Sequence, residues 1–114
     1  MVHKALDAAV ILEKEHGIAC TVIDLRSLVP LDTQTILAEV AKTGRLFTVE
    51  ENPRLCGWGA EIVSIVAEEC FWHLDAPIMR VCGRDIPTPF SPPMEQFYLP
   101  TPERIIETVR GMFR

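Results

Sequence analysis

The chain has 114 residues, of which 48% are hydrophobic, and this size and composition predict one globular domain with a single core. Its 11 basic and 16 acidic residues give a net charge of −5, which disfavours a nucleic-acid partner because phosphate binding needs a clustered basic face. The same charge leaves room for a basic protein partner.

The first half of the chain alternates between helical and strand-like patterns. The apolar residues Ala5, Leu6, Ala9 and Leu12 recur at helical spacing and predict a helix over 2–16, with Gly17 just past its end. The run 18–25 is rich in β-branched residues and nearly continuous in apolarity, which predicts a strand buried on both faces of a parallel sheet. Asp32 is expected to cap a second helix over 33–42, which Gly44 terminates.

Two further strands are predicted over 46–50 and 78–82, with a helix between them over 60–72. Apolar residues cover most of the circumference of that helix, so we expect it to be deeply packed. The segment 83–100 holds five of the nine prolines, which predicts an extended surface path that contains neither helix nor strand.

The last helix has a clear start, with Thr101 as its cap and Pro102 at its first position. Ile105, Ile106 and Val109, followed by Met112 or Phe113, are expected to form its buried stripe. The alternating order of elements predicts an α/β fold with helices on both faces of a mostly parallel sheet.

Gly57 and Gly59 lie between a predicted strand and a helix, as in dinucleotide-binding sites. Ile62 occupies the place of the third small residue, so close backbone packing is favoured over a nucleotide. Trp58 either fills a gap in the core or anchors a partner, and both interpretations stay open. Packing over the chain's own sheet is favoured for the aromatic residues of the proline-rich segment, which are Phe90, Phe97 and Tyr98.

Other polar residues form no catalytic or metal-binding set. Glu50 and Glu51 end a predicted strand, where α/β proteins often bind ligands, but no His, Ser or metal-ligand set accompanies them, so a structural or interface role is favoured. The histidines have no ligand-like spacing: His3, His16 and His73. The residues alone therefore favour an interaction module over an enzyme.

Cysteine usage and hydropathy bear on the compartment. The four cysteines form no C-x-x-C pair, which favours reduced, structural thiols: Cys20, Cys56, Cys70 and Cys82. Met1 leads directly into a charged helix, and no apolar stretch approaches the ~20 residues that span a bilayer. We expect a soluble protein of the bacterial cytoplasm or, in a eukaryote, the mitochondrial matrix.

Five segments, in order along the whole chain, resemble beta subunits of 2-oxo acid dehydrogenases. They are 21–32 (T-V-I-D-L-R-S-L-V-P-L-D), 42–46 (K-T-G-R-L), 57–62 (G-W-G-A-E-I), 74–78 (L-D-A-P-I) and 80–87 (R-V-C-G-R-D-I-P). Residues 68–71 and 95–100 look most like the branched-chain enzymes, which act on 2-oxoisovalerate. Pyruvate and acetoin dehydrogenases are the alternatives.

This resemblance implies the fold of the transketolase carboxy-terminal domain, three α/β/α layers around a five-stranded mixed sheet, spanning residues 1–114. It implies an alpha2-beta2 assembly that decarboxylates a 2-oxo acid on thiamine diphosphate, held with a divalent metal, and passes the acyl group to lipoamide. In such enzymes the cofactor and catalytic histidines lie in the alpha subunit and in the beta subunit's amino-terminal domain. No catalytic, cofactor-binding or metal residue is therefore carried over to this chain.

The resemblance instead implies an assembly and docking domain. Gly57, Trp58 and Gly59 are expected at a contact with the alpha subunit or the second beta subunit. Asp85 and the carboxy-terminal Arg114 are the candidates for docking the binding domain of the lipoyl-bearing acyltransferase. The alternative class is a stand-alone interaction module without catalysis, and neither nucleic acid nor membrane is an expected partner.

The chain departs from the family pattern at its start. Family members precede Val2 with a strand that lies between the strands at 21–25 and 46–50, and before it comes an amino-terminal pyrimidine-binding domain. Neither is present, so we expect a fragment of a longer beta subunit. Two strands without their shared neighbour expose backbone groups, which predicts a marginal, oligomeric or molten chain.

Overall fold

A computed structural model describes residues 1–113 of the chain. In chain order its elements are α1 (Val2–His16), α2 (Thr33–Thr43), β1 (Phe47–Pro53), α3 (Gly59–Glu69), a 3₁₀ turn (Phe71–His73), β2 (Met79–Gly83), α4 (Pro92–Tyr98) and α5 (Pro102–Gly111).

Local signals set the helix ends as predicted. Gly17 and Gly44 end α1 and α2 in the left-handed conformation, with φ of 66° and 68°. Asp32 caps α2 by accepting a hydrogen bond from the Thr35 N–H at 3.1 Å. Thr101 caps α5 in the same way, and Pro102 follows at a position where no backbone N–H is needed.

The sheet lies between two layers of helices, which confirms the predicted three-layer α/β arrangement. β1 and β2 pair in parallel, with Phe47 opposite Met79 and Val49 opposite Val81. One core cluster joins α1 and α5 to the sheet through Ala8, Leu12, Val81, Ile105 and Val109. A second joins α2 to α3 on the other face through Ile36, Val40, Ile62, Val66 and Cys70.

Within residues 1–113 the sheet has only these two strands, so the five-stranded sheet implied by the resemblance is not present. The predicted strand over 18–25 is wrong: the segment adopts no regular structure. Its sequence favours a strand, but a strand forms only where a neighbour accepts its backbone hydrogen bonds. The structure places no such neighbour beside it.

The prediction for 83–100 is also wrong in part, because α4 (Pro92–Tyr98) lies within it. Proline breaks a helix in its interior, but Pro92 and Pro93 occupy the first turn, where the missing N–H costs nothing. Of the three aromatic residues expected to cover the sheet, Tyr98 is buried, whereas Phe90 and Phe97 are exposed.

Three helices bury a narrower face than predicted. In α1 the buried residues are Ala8 and Leu12, while Leu6 is 46% exposed. In α3 only Gly59, Ile62 and Val66 are buried, so this helix is not deeply packed on most sides. The stripe of α5 is confirmed at Ile105 and Val109, while Ile106 and Met112 are half-buried and Phe113 is exposed. In the described part of the chain, no helix is long and apolar enough to cross a membrane.

Candidate functional site

A buried carboxylate lies at the carboxyl end of the sheet. Glu50 on β1 has a fully buried side chain, and it is the one buried charged residue of residues 1–113. The Arg80 guanidinium on β2 donates two hydrogen bonds to its Oε1, from Nη2 at 2.9 Å and from Nε at 3.2 Å. Because an isolated buried charge is costly, this pairing is what allows a carboxylate to remain ionised there.

Three further groups complete what we term the carboxylate cluster. The Gly59 N–H donates to Glu50 Oε2 at 3.0 Å, and Asn52 Nδ2 donates to the same oxygen at 2.9 Å. The Cys82 thiol donates to Oε1 at 3.2 Å. Arg80 and Cys82 reach one carboxylate because alternate residues of a strand point to the same face of the sheet.

The Gly57–Trp58–Gly59 segment, termed the glycine turn, packs directly on this cluster. A Cβ on Gly57 would come within 2.8 Å of both Arg80 Nη2 and Glu50 Oε2, and one on Gly59 would come within 2.8 Å of Thr48 Oγ1. Any side chain at these positions would push the turn off the sheet. The expectation that the glycines allow close backbone packing is thereby confirmed.

The same contacts make the turn poorly suited to bind a phosphate. In a dinucleotide site, the N–H groups at the start of the helix point at the pyrophosphate. In this chain the Gly59 N–H at the start of α3 is already donated to Glu50. A carboxylate of the protein thus occupies the place that the anionic ligand would take.

Trp58 is half-buried and packs on the core cluster between α2 and α3. Of the two interpretations that the sequence left open, the structure therefore supports core packing. The neighbouring Leu55 is 78% exposed, so the loop before the glycine turn presents an apolar side chain outward.

Burial and hydrogen bonding act in opposite directions on the acidity of the cluster. Burial alone would raise the pKa of Glu50, but hydrogen bonds from Gly59, Arg80, Cys82 and Asn52 outweigh it and hold that pKa below its ordinary value. Burial, together with the hydrogen bond to and negative charge of Glu50, raises the pKa of Cys82 to about 11. The cluster is therefore an ionised carboxylate beside a protonated thiol at neutral pH.

The remaining sequence-predicted residues lie outside the cluster. Glu51 is exposed, and one of its carboxylate oxygens lies 3.6 Å from the amino group of Met1. All three histidines are exposed. Cys70 and Cys82 are buried, whereas Cys20 and Cys56 are exposed, and all four are free thiols. Cys20 had been expected inside a buried strand, and it is exposed because that strand is absent.

The predicted docking residues are only partly described. Asp85 is exposed, and its Oδ1 accepts a hydrogen bond of 3.1 Å from the Leu55 N–H, so it ties the loop before the glycine turn to the end of β2. Arg114 lies outside the described residues.

Sequence reasoning missed Arg80, Cys82 and Asn52 as partners of Glu50. The spacing of Arg80 and Cys82, two apart in a strand that follows β1, was the available signal. What the arrangement can do chemically is limited, since every acceptor oxygen of Glu50 is already engaged by the chain itself. The cluster is built to hold structure rather than to transfer protons.

Comparison with known proteins gives a consistent pattern. A family model described as "Transketolase, C-terminal domain" matches residues 1–105. The chain is 50% identical over 106 residues to a pyruvate dehydrogenase E1 component subunit beta of Rickettsia felis, covering 93% of this chain and 32% of that protein.

Branched-chain enzymes are also among the relatives. The chain is 42% identical over 115 residues to a 3-methyl-2-oxobutanoate dehydrogenase subunit beta of Mycobacterium tuberculosis, covering 100% of this chain and 32% of the relative. It is 44% identical over 105 residues to a mitochondrial 2-oxoisovalerate dehydrogenase subunit beta of Dictyostelium discoideum, covering 92% of this chain and 28% of the relative. The chain spans about a third of the length of these curated relatives.

Proposed function

Because the chain belongs to the transketolase C-terminal domain family, we propose that it is the carboxy-terminal domain of the beta subunit of a thiamine-diphosphate-dependent 2-oxo acid dehydrogenase. Its role is assembly and docking, without a catalytic residue of its own. The intact enzyme decarboxylates a 2-oxo acid and transfers the acyl group to lipoamide. The relatives support the branched-chain and pyruvate types about equally as the substrate class.

The carboxylate cluster is the observation that carries this proposal. A catalytic carboxylate keeps an oxygen available to its substrate, whereas Glu50 receives five hydrogen bonds from the chain itself. These bonds fix the glycine turn on the sheet. In this proposal the fixed glycine turn, Gly57, Trp58 and Gly59, shapes a contact with the alpha subunit or the second beta subunit, and the loop before it presents the exposed Leu55 to the same contact.

The cofactor belongs to the rest of the intact enzyme in this proposal. A divalent metal with thiamine diphosphate takes carboxylate, carbonyl and water oxygens as ligands. Glu50 is engaged by its neighbours, and no three His, Cys, Asp or Glu side chains within residues 1–113 are grouped so as to hold a metal ion. The residues described do not fit the cofactor, so we assign no step of its chemistry to this chain.

The amino-terminal part of the subunit is proposed from the lengths of the relatives. Since the chain spans about a third of each of them, a longer beta subunit would supply the pyrimidine-binding domain. Some relatives are bacterial and some are named as mitochondrial, which supports a bacterial cytoplasm or a mitochondrial matrix as the compartment.

Docking of the acyltransferase is proposed at Asp85 and the carboxy terminus at Arg114. Support comes from the net charge of −5, which favours a basic partner, and from the exposure of Asp85. Calorimetric titration of the chain with the purified binding domain of a lipoyl-bearing acyltransferase tests this. We expect binding that weakens as salt is added.

Two variants separate a specific contact from overall charge. Asp85→Asn keeps an oxygen that can accept from the Leu55 N–H but removes the negative charge, so it should weaken binding roughly tenfold. Glu107→Lys, on the exposed side of α5, changes the net charge by two units and should have a smaller effect. Equal losses in both variants, or no binding to the unaltered chain, would reject the docking role.

A further inference from the structure

A cavity of about 360 Å³ lies between the carboxyl end of β1 and α4, and its size is within the range of small-molecule sites. The carboxyl ends of parallel strands are where α/β proteins tend to bind ligands. Five of its lining residues carry polar side chains: Glu51, Asn52, Thr88, Glu95 and Tyr98. Only Asn52 among them belongs to the carboxylate cluster, so the cavity is a separate feature of the fold.

The end of β1 is irregular where it borders this cavity. From Val49 to Pro53 is a step of four residues, and it is paired with a step of only two residues along β2. Neighbouring residues of a regular strand point to opposite faces, whereas Glu51 and Asn52 both line the cavity. A bulge redirects side chains in this way, and bulges are frequent next to functional sites.

The Tyr98 hydroxyl is a polar group without a partner at this cavity. Tyr98 is 4% exposed and lines the cavity, and its hydroxyl makes no hydrogen bond within the part of the chain that the structure describes. Its ring packs on Gly83, where a Cβ would come within 2.9 Å of the ring carbon that bears the hydroxyl. Because the hydroxyl groups of buried tyrosines are normally hydrogen-bonded, this one indicates a polar ligand.

The charged side chains that line the cavity are both acidic. The Glu51 and Glu95 carboxylates accept no hydrogen bond from residues 1–113. Among these residues, the one cation that forms an ion pair with either carboxylate is the Met1 amino group, whose 3.6 Å distance from Glu51 Oε1 is too long for a hydrogen bond. A ligand would therefore meet two carboxylates with free acceptor oxygens, which favours a cation.

The neutral groups of the lining add further acceptors. Asn52 Nδ2 donates to Glu50 Oε2 at 2.9 Å and to the Pro53 carbonyl at 3.3 Å, so Oδ1 is the group that Asn52 has left for the cavity. Thr88 contributes an exposed hydroxyl. Carboxylates, an amide oxygen and hydroxyls together suit a compact cation with several N–H donors, and a primary ammonium carries three of them.

The apolar part of the lining comes from Pro53 and Leu99, which suits the alkyl stem of an amine. We propose that this cavity binds a primary alkylammonium group, whose charge is balanced by Glu51 and Glu95 and whose N–H groups donate to the carboxylates and to the Tyr98 hydroxyl. A free small amine and the lysine side chain of a partner protein both present this group. The site is independent of the proposed function, since it shares no residue with the proposed subunit contact or docking surface.

NMR titration of the whole, isotopically labelled chain with n-butylamine at neutral pH tests the proposal. The shifts should saturate with a dissociation constant on the order of 1–10 mM, which is typical of so small a ligand, and should be largest at the amides of Glu51, Asn52, Glu95 and Leu99. The alcohol n-butanol lacks the charge, and tetramethylammonium lacks N–H donors, so each should bind at least about tenfold more weakly. Equal affinity for all three probes would overturn the proposal.

Three variants locate the site. Tyr98→Phe removes a hydroxyl that has no partner in the free chain, so the fold should be kept while the affinity for n-butylamine falls about tenfold. Glu95→Gln should lower that affinity roughly threefold, whereas Glu107→Gln, on the exposed side of α5, changes the net charge equally and should leave it intact. Amide exchange within α5 verifies folding. Unchanged affinity in Tyr98→Phe, or equal losses in the two glutamine variants, would reject the site.

A lysine peptide distinguishes the two sources of the ammonium group. Acetyl-Gly-Lys-Gly-amide presents the group on a polypeptide, and n-butylamine presents it alone. Saturable shifts of the same amides with both probes would assign the site to the lysine of a partner protein, and shifts with n-butylamine only would assign it to a small amine. Absence of saturable shifts with either probe would overturn the proposal, whatever the outcome of acyltransferase docking.

Discussion

The Arg80 guanidinium lies 2.9 Å from the Glu50 carboxylate and joins the only two strands of the described sheet from their α3-facing side. The Arg80 side chain is 13% exposed and that of Glu50 is 0% exposed, so water cannot readily solvate either charge if its partner is removed. Removing one partner should therefore lower the free energy of unfolding more than removing one partner of a surface ion pair, because it leaves a buried charge without its counter-charge.

Replacing Glu50→Gln should lower the free energy of unfolding by about 3 kcal/mol, because the buried Arg80 charge then has no counter-charge. Glu51→Gln, at an exposed neighbour, should change it by less than about 0.5 kcal/mol. Urea unfolding followed by circular dichroism measures both. The double variant Glu50→Gln/Arg80→Met should recover part of the loss, and a loss no larger than that of Glu51→Gln would contradict a stabilising pair.

The low pKa of Glu50 in the folded chain makes stability depend on pH. An unfolded glutamate titrates near ~4.3, and the folded carboxyl titrates below its ordinary value. Protons therefore bind the unfolded chain first, so the contribution of Glu50 is complete above about pH 4.3 and is lost as pH falls through the folded pKa.

The difference in unfolding free energy between the unaltered chain and Glu50→Gln should accordingly shrink as pH falls from about 5 toward 3. Denaturant titrations at several pH values measure this difference. A gap between the two proteins that stays constant over this range would show that the carboxylate charge is not the stabilising element.

Gly59→Ala should destabilise the chain by about 1–3 kcal/mol, because the added methyl group would meet Thr48 and the Glu50 carboxylate. Gly111→Ala is the matched control, since nothing lies within 4 Å of a Cβ there and alanine favours the helix. Thermal unfolding should give a lower midpoint for the first and an equal or higher one for the second. Equal melting temperatures of the two variants would mean that the glycine turn accommodates a Cβ at Gly59 without loss of stability.

Cys82 should resist alkylation, because the buried thiol beside Glu50 has its pKa raised to about 11. At pH 8 its reaction with iodoacetamide should be roughly 100-fold slower in the folded chain than in the same chain unfolded in urea. Mass spectrometry of digested samples measures the modification at each cysteine. Similar rates in the two states would show that the thiol is not held by the cluster.

The raised pKa of Cys82 makes the free energy of unfolding depend on pH in the direction opposite to that of Glu50. The folded chain holds the thiol proton more tightly than the unfolded chain, so this contribution is complete below the ordinary pKa near ~8.5. It is lost as pH rises through about 11. The difference in unfolding free energy between the unaltered chain and Cys82→Ser, measured by denaturant titration between about pH 8.5 and pH 11, isolates the contribution of the thiol.

The elements that the sequence predicted well depend on neighbouring residues in the chain. Asp32 and Thr101 cap their helices through groups three residues away, and Gly17 and Gly44 end theirs by their own backbone conformation. Such signals are complete within a few residues. The wrong prediction at 18–25 arose because pairing depends on a neighbour that local sequence cannot supply.

The candidate site was only partly predictable for the same reason. The sequence identified Glu50 and the glycines, but it could not join them to Arg80 and Cys82, which lie on the other strand. That connection depends on the register of β1 and β2, which the sequence pattern leaves open. The sequence pattern did not predict α4, because proline disfavours the interior of a helix, whereas Pro92 and Pro93 stand in its first turn, where proline is favourable.

The pairing of Phe47 with Met79 has a kinetic consequence. All of α3 lies between these two residues along the chain, so the first sheet contact must close a loop that contains a complete helix. Closing such a loop costs entropy before any strand hydrogen bond compensates for it. The chain should therefore form its helices faster than its sheet. The length of α3 contributes to the size of the loop that must close before the two strands can pair.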